Sequence, residues 1–291
     1  MRLFPDLPPD RPVLIAGPTA SGKSGLALDI AVQGGGIIVN ADALQVFDCW
    51  RLLTARPDHT DTARHPHKLY GHVSRDSAYS VGHWLRDVSS LKGLGQRLII
   101  VGGTGLYLTA LTTGLAPIPP IPAAIRTMAD ERRRAGDLTG MLADLDADTR
   151  SQIDTRNPAR VQRAWEVAQA TGRGLAAWQK DTPAPLMDIT HCCAIVLQPD
   201  RDWLASRIDR RFNAMIRNGV LDEVRQNLPR WQPTAPWAQA IGARELVAHL
   251  NGEVSLETAT EAAKIASRQY AKRQRTWFRN RMKGWQSFVP Q

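Results

Sequence analysis

Four short apolar runs punctuate the chain: Val13–Ala16, Gly36–Asn40, Arg97–Val101 and Cys193–Leu197. Each is continuous and rich in β-branched residues, with no polar residue at alternate positions. That pattern suits strands buried on both faces, as in parallel sheets. Longer stretches with apolar residues at helical spacing separate them, and this alternation predicts an α/β fold with a parallel sheet flanked by helices. Between the third and fourth runs the pattern changes. Pro117, Pro119, Pro120 and Pro122 make a stiff connection, and residues 123–177 then carry Arg, Ala, Asp and Leu without any strand-like run. A second Pro-rich joint follows at Thr182-Pro183-Ala184-Pro185. The expected organisation is a first part of the core at 1–116, a helical insertion domain at 117–188, and completion of the core with basic C-terminal helices at 189–291. Helices are predicted near 200–228, 238–250 and 256–282.

The first run leads into Gly17-Pro18-Thr19-Ala20-Ser21-Gly22-Lys23-Ser24, which fills the template G-x-x-x-x-G-K-[ST] without a mismatch. A strand, a glycine-rich loop and a helix start form a phosphate-binding loop, which makes the sheet P-loop NTPase-like. Backbone N–H groups and the helix N-terminus form a cradle for a diphosphate or triphosphate. Lys23 is placed to reach the terminal phosphates, and the Ser24 hydroxyl to ligate Mg²⁺.

Composition adds one constraint. Apolar residues make up 43% and charged residues 22%, as in an ordinary globular protein, but the net charge is +9. A polyanion partner accounts for such an excess better than a small metabolite does. From Ala262 onward there is no acidic residue, while Lys264, Arg268, Lys272, Arg273, Arg275, Arg279, Arg281 and Lys283 alternate with Tyr270, Trp277, Phe278 and Trp285. Mixed basic and aromatic residues favour a nucleic acid backbone over a merely solvated tail. No apolar run reaches the length of a membrane span. The N-terminus reads as a Pro-rich lead-in and not a signal peptide. Cys49, Cys192 and Cys193 lack metal-ligand spacing and read as reduced thiols of a cytoplasmic protein.

Ligands of parallel sheets gather at the carboxyl ends of the strands. Asp42 directly follows the second run, where it could serve as metal ligand, general base or turn cap. The third run ends in Val101-Gly102-Gly103-Thr104-Gly105, in which glycines let backbone approach a ligand closely. In the inserted unit Arg160 and Arg163 share a helix face. Arg207-Ile208-Asp209-Arg210-Arg211 could aim a cation back at the phosphates.

Together these segments resemble the tRNA dimethylallyltransferases, also called tRNA isopentenyltransferases. The resemblance runs through Gly17–Ser24, Ala41-Asp42-Ala43-Leu44-Gln45-Val46-Phe47, Val101–Tyr107 and Asn157–Val167. It ends at Ser267-Arg268-Gln269-Tyr270-Ala271-Lys272-Arg273-Gln274-Arg275-Thr276-Trp277-Phe278, and so spans nearly the whole chain. Two segments depart from the pattern: Leu52-Leu53-Thr54-Ala55-Arg56-Pro57 stands where a Gly-Thr-Ala-Lys-Pro-like stretch is usual, and His67-Lys68 where two histidines are usual. The resemblance implies transfer of a dimethylallyl group from dimethylallyl diphosphate to N6 of the adenosine 3′ to the anticodon. It implies Asp42 and Thr104 at the reaction centre, and Gly17, Pro18, Thr19, Ala20, Ser21, Gly22, Lys23, Ser24 and Arg211 on the diphosphate, with Mg²⁺ on Ser24. The anticodon stem-loop of tRNA would meet Asp42, Ala43, Leu44, Gln45 and Thr104, together with Arg126, Ala159, Arg160, Val161, Gln162 and Arg163. A monomer is expected. Read from the residues alone, a small-molecule kinase using ATP leaves the arginine helix unexplained, and a non-catalytic RNA-binding P-loop protein leaves Asp42 idle.

Overall fold

The computed structural model describes residues 7–290, so part of the Pro-rich lead-in lies outside the described residues. Six strands, β1 (Val13–Ala16), β2 (Ile37–Asn40), β3 (His67–Lys68), β4 (Leu98–Gly102), β5 (Cys193–Leu197) and β6 (Gln286–Phe288), form one sheet in the order β3-β2-β4-β1-β5-β6. Every pairing is parallel. The two edge strands, β3 and β6, were not expected from the sequence, because two or three residues carry no hydrophobic period.

Helices α1 (Lys23–Gly34), α2 (His59–Arg64), α3 (Val81–Lys92) and α4 (Gly105–Thr113) connect the first strands. Strand side chains alternate between faces. Val13, Ile15, Ile38, Ile99 and Ile195 therefore pack with Leu26, Ala27 and Ile30 of α1. Leu14, Val39 and Ile100 pack on the opposite face with Trp84 of α3 and Leu108 and Leu111 of α4. Burial on both faces is why the strand sequences are unbroken apolar runs.

The chain divides into two compact units, Met1–Thr112 with Leu186–Gln291, and Thr113–Pro185. The second contains α5 (Ala123–Arg134), α6 (Leu138–Ala143), α7 (Ala147–Gln152), α8 (Pro158–Thr171) and α9 (Leu175–Lys180) around Ala129, Met141, Leu145, Val161, Ala164 and Trp165. The Asn157 side chain caps α8 by accepting from the N–H groups of Ala159 and Arg160, at 3.1 and 3.3 Å. Trp165 Nε1 donates to Asp144 at 2.8 Å, and the Arg132 guanidinium lies 5.1 Å above the indole.

In the first unit β5 is followed by α10 (Arg201–Arg217), α11 (Val220–Asn227), α12 (Ala243–Leu250) and α13 (Leu256–Arg281). The helix expected across 200–228 is two helices, because Gly219 turns the chain at φ 90°. The one expected from 238 starts at Ala243, behind a short 3₁₀ turn at Trp237–Gln239. These helices bury Phe212, Met215, Val224, Leu246 and Ala263 against Phe47, Trp50 and Leu53. The Glu223 carboxylate fixes that segment by accepting from the N–H groups of Arg51, Leu52 and Leu53, at 2.5, 2.9 and 2.8 Å. Among the described residues no helix is long and apolar enough to cross a membrane.

Register decides what meets at the top of the sheet. Ala16 lies beside Gly102, and Asn40 beside Val101, so the loops after β1, β2 and β4 leave the sheet at one level. A Cβ on Gly102 would stand 2.0 Å from the Ala41 carbonyl oxygen. Gly102→Ala should therefore destabilise the fold by about 3 kcal/mol, read as a lowered thermal midpoint.

Candidate functional site

The phosphate loop turns from β1 into α1 with Ala20 at φ 62°, a left-handed conformation that a residue bearing Cβ rarely adopts. Lys23 Nζ donates to the Pro18 carbonyl at 3.3 Å. Beside the loop is a cavity of about 490 Å³ lined by residues 20–25 and by Arg207, Arg210 and Arg211 of α10. Arg207 Nε donates to the Ala20 carbonyl at 3.0 Å, and Arg211 donates to the Thr19 hydroxyl. One segment of α10 thus supplies the cations that the sequence placed near the phosphates. Ser24, at the start of α1, is exposed on the same cavity.

These cations stand close together in a crowded place. Crowding by protein atoms, with a smaller push from Arg211, lowers the Lys23 pKa to about 8 despite the opposing charge of Asp42. Arg211 is lowered to about 10, again chiefly by burial and further by Arg207, with Asp42 opposing. An anion placed between them would restore both to full charge.

Asp42 is held by its neighbours. Its N–H donates to Asn40 Oδ1 at 2.8 Å, and Asn40 Nδ2 donates to the carbonyls of Asp42 and Leu69, both at 2.9 Å. The carboxylate accepts from the Leu44 N–H at 3.0 Å. Thr104 Oγ1 accepts from the Ala43 N–H at 2.9 Å, and the Thr104 N–H donates to the Ala41 carbonyl at 3.2 Å. Burial, reinforced by the Asp42 charge, raises the pKa of Tyr70, Tyr107 and Tyr270, so these phenols stay neutral.

Asp42, Thr19 and Arg211 also line a second, small cavity of about 60 Å³, whose remaining wall includes Leu44, Leu53, Phe212, Met215, Ile241 and Tyr270. Arg211 borders both cavities. The apolar wall was not anticipated from the sequence, where its residues are scattered and carry no motif. The departing segment at residues 52–57 contributes Leu53 and Thr54 to it, while its Arg56 donates to the Phe47 carbonyl at 3.1 Å.

The other candidate residues divide. Gln45 spends its amide on the carbonyls of Thr54 and Ala55, at 2.7 and 3.3 Å, and so braces that segment. In the helical unit Arg126, Ala159, Arg160 and Arg163 are exposed. Val161 and Gln162, also expected to meet tRNA, are buried. Val161 is fully buried in the unit's core, and the Gln162 amide donates to Asp130 and Glu166 at 2.8 and 3.0 Å. The i, i+3 spacing that puts Arg160 and Arg163 outward turns the two residues between them inward.

A phosphate loop, clustered cations, a carboxylate and an apolar cleft at the head of a parallel sheet define a P-loop-like enzyme that handles a phosphorylated substrate. The family model described as IPP transferase matches residues 45–281. A tRNA dimethylallyltransferase of Cereibacter sphaeroides is 61% identical over 282 residues, covering 97% of this chain and 90% of the relative. One from Paracoccus denitrificans is 61% identical over 289 residues, covering 97% and 96%. The chain belongs to the IPP transferase family, the tRNA dimethylallyltransferases. Among solved structures it is similar to the full-length tRNA isopentenylpyrophosphate transferase of Bacillus halodurans, with a TM-score of 0.68, 29% identity and coverage of 96% and 90%. A eukaryotic dimethylallyltransferase acting on tRNA shares the fold at 23% identity, with a TM-score of 0.80 and coverage of 96% and 73%.

The lowered Lys23 pKa has a direct consequence. Below about pH 8 the ammonium is charged and attracts an anion; as pH rises through that value the charge is lost, well before the ordinary 10.5. Calorimetric affinity for inorganic diphosphate should therefore fall roughly tenfold between pH 7 and 9 relative to Lys23→Met, since the ligand's own ionisation is common to both proteins.

Proposed function

We propose that this protein transfers a dimethylallyl group from dimethylallyl diphosphate to N6 of the adenosine 3′ to the anticodon of tRNA. The observation that carries this reading is the pairing of a cationic phosphate cavity with a small apolar-walled cleft ending at Asp42. Such a cleft suits a short branched alkyl chain held between its diphosphate and a base.

In the reaction the allylic C1–O bond breaks and its electron pair leaves with diphosphate. Lys23, Arg207, Arg210 and Arg211 meet the developing negative charge, which is where preorganised donors contribute most. The N6–C1 bond forms, and the N6 proton passes to the Asp42 carboxylate. The exocyclic amine is a weak nucleophile because its lone pair is delocalised, so proton removal in the transition state matters. Thr104 fixes the Asp42 loop through Ala43 and stands at the same centre. Mg²⁺ keeps several waters and binds phosphate oxygens together with few protein ligands. The exposed Ser24 hydroxyl on the cavity fits that demand, and among the described residues no cluster of His, Cys, Asp and Glu offers a protein-only cage. When bound, the ion would add positive charge beside the diphosphate.

The target base has to leave its stack to reach the cleft. Exposed Arg126, Arg160 and Arg163, and the basic face of α13, supply cations for the phosphates of an anticodon stem-loop. We place the enzyme in the cytoplasm as a monomer, with tRNA as its partner.

Incubation with Mg²⁺, dimethylallyl diphosphate and unmodified tRNA, without ATP, followed by nucleoside mass spectrometry, tests this reading. Adenosine with one added C₅H₈ unit is expected. Asp42→Asn should retain tRNA binding and lose about 10²–10⁴ in turnover, the usual contribution of a general base. Absence of prenylated adenosine with the wild-type protein would remove the assignment.

A further inference from the structure

We infer that Gln274 is a positioning residue: its buried side-chain amide ties the phosphate loop to the loop after β4 and sets the spacing between the diphosphate cradle and Asp42. The inference rests on the transfer reaction proposed above. Gln274 is 5% exposed. Its Oε1 accepts from the Thr19 N–H at 2.8 Å, and its Nε2 donates to the Gly103 carbonyl at 2.9 Å. The two partners lie 255 and 171 residues away along the chain. Each continues into the site: the Thr19 hydroxyl accepts from Arg211, and Gly103 precedes Thr104, which holds the Ala43 N–H beside Asp42. Tyr270, one turn earlier on α13, lies beside the side chains of both Thr104 and Gln274.

The fit leaves no slack. A Cβ on Gly103 would stand 2.3 Å from Gln274 Nε2 and 3.5 Å from Asp42 Oδ2. The site needs one neutral side chain with an acceptor at one end and a donor at the other, which is an amide. Thr19 commits its backbone N–H to Gln274, so losing the amide removes a tie between loops and no cation from the cradle. A merely structural amide would lower stability by the ~1–3 kcal/mol of unpaired buried groups and leave turnover of the folded protein intact. A positioning amide acts on turnover, because a misplacement of about 1 Å can cost ~100-fold.

The test compares wild type with Gln274→Met and Gln274→Glu. In Gln274→Met, kcat should fall about 10- to 100-fold with diphosphate affinity kept within about twofold, and the Thr19 amide should lose its protection from hydrogen exchange. Gln274→Glu adds a signature. Ionised, it turns a carboxylate toward the Gly103 carbonyl with Asp42 alongside; protonated, it reproduces the amide's donor and acceptor. Tyr270 on the same helix, Asp42 beside Gly103, and Arg211 and Lys23 beyond Thr19 face the new carboxyl and couple to it, so the ratio reads the carboxyl together with these neighbours. The kcat of Gln274→Glu relative to wild type should therefore rise about tenfold as pH falls from 8 to 6. A flat ratio, or a Gln274→Met kcat within twofold of wild type, overturns the inference. If Gln274→Met does not fold, the Gln274→Glu ratio decides. If the wild type makes no prenylated adenosine, the reaction assignment fails separately, and retained Thr19 protection in Gln274→Met would still overturn the tie.

Discussion

Backbone meets backbone where β4 ends, and the site is built on that contact. Gly102 lies so close to the Ala41 carbonyl that no side chain fits between them, and the Thr104 N–H closes onto the same oxygen at 3.2 Å. Parallel register brings these strand ends level. Asp42 is therefore aimed by main-chain geometry, through Asn40, Ala43 and Leu44, and not by an ion pair of its own. A carboxylate fixed this way keeps capacity to accept a proton. One locked in a bidentate salt bridge would have lost it.

The cations follow the opposite logic. Lys23 and Arg211 are placed where protein crowds them, and both ionise less readily than usual. In the free protein their proximity is unfavourable, and Asp42 offsets part of it. A diphosphate would offset, for both together, the burial that penalises their charges and the smaller repulsion from neighbouring guanidinium groups. That arrangement favours a dianionic or more highly charged ligand over a monoanion, since one charge cannot satisfy several cations.

Much of this was legible in the sequence because it rests on local rules. The unbroken runs of β1, β2, β4 and β5 mark buried parallel strands, and the phosphate loop follows from eight consecutive residues. The Pro-rich joints flag a change of structure. What sequence reading missed depends on long-range packing. His67–Lys68 becomes a strand only by pairing with β2, and Gln286–Phe288 only by pairing with β5. Leu53, Phe212, Met215 and Ile241 carry no motif and become a cleft wall when α10 packs on the segment after Phe47. Val161 and Gln162 show the converse, because helical period turns them inward between the exposed Arg160 and Arg163.

The same period explains how α13 serves two purposes. Over its 26 residues, Ser267, Ala271, Gln274 and Phe278 face inward, while Lys272, Arg275 and Arg279 are exposed. Lys272, Arg275 and Arg279, part of the basic excess that pointed to RNA, therefore lie on a different face from the amide that joins the loops, while Lys264 is buried. Surface charge sets attraction for a polyanion over a Debye length of about 10 Å, largely independent of side-chain packing. Loop alignment depends on hydrogen bonds near 2.9 Å and tolerates almost no displacement. Because one helix carries both on separate faces, charge on its outer face can change without moving Gln274, whereas any shift of the helix axis would act on the phosphate loop and the Thr104 loop together.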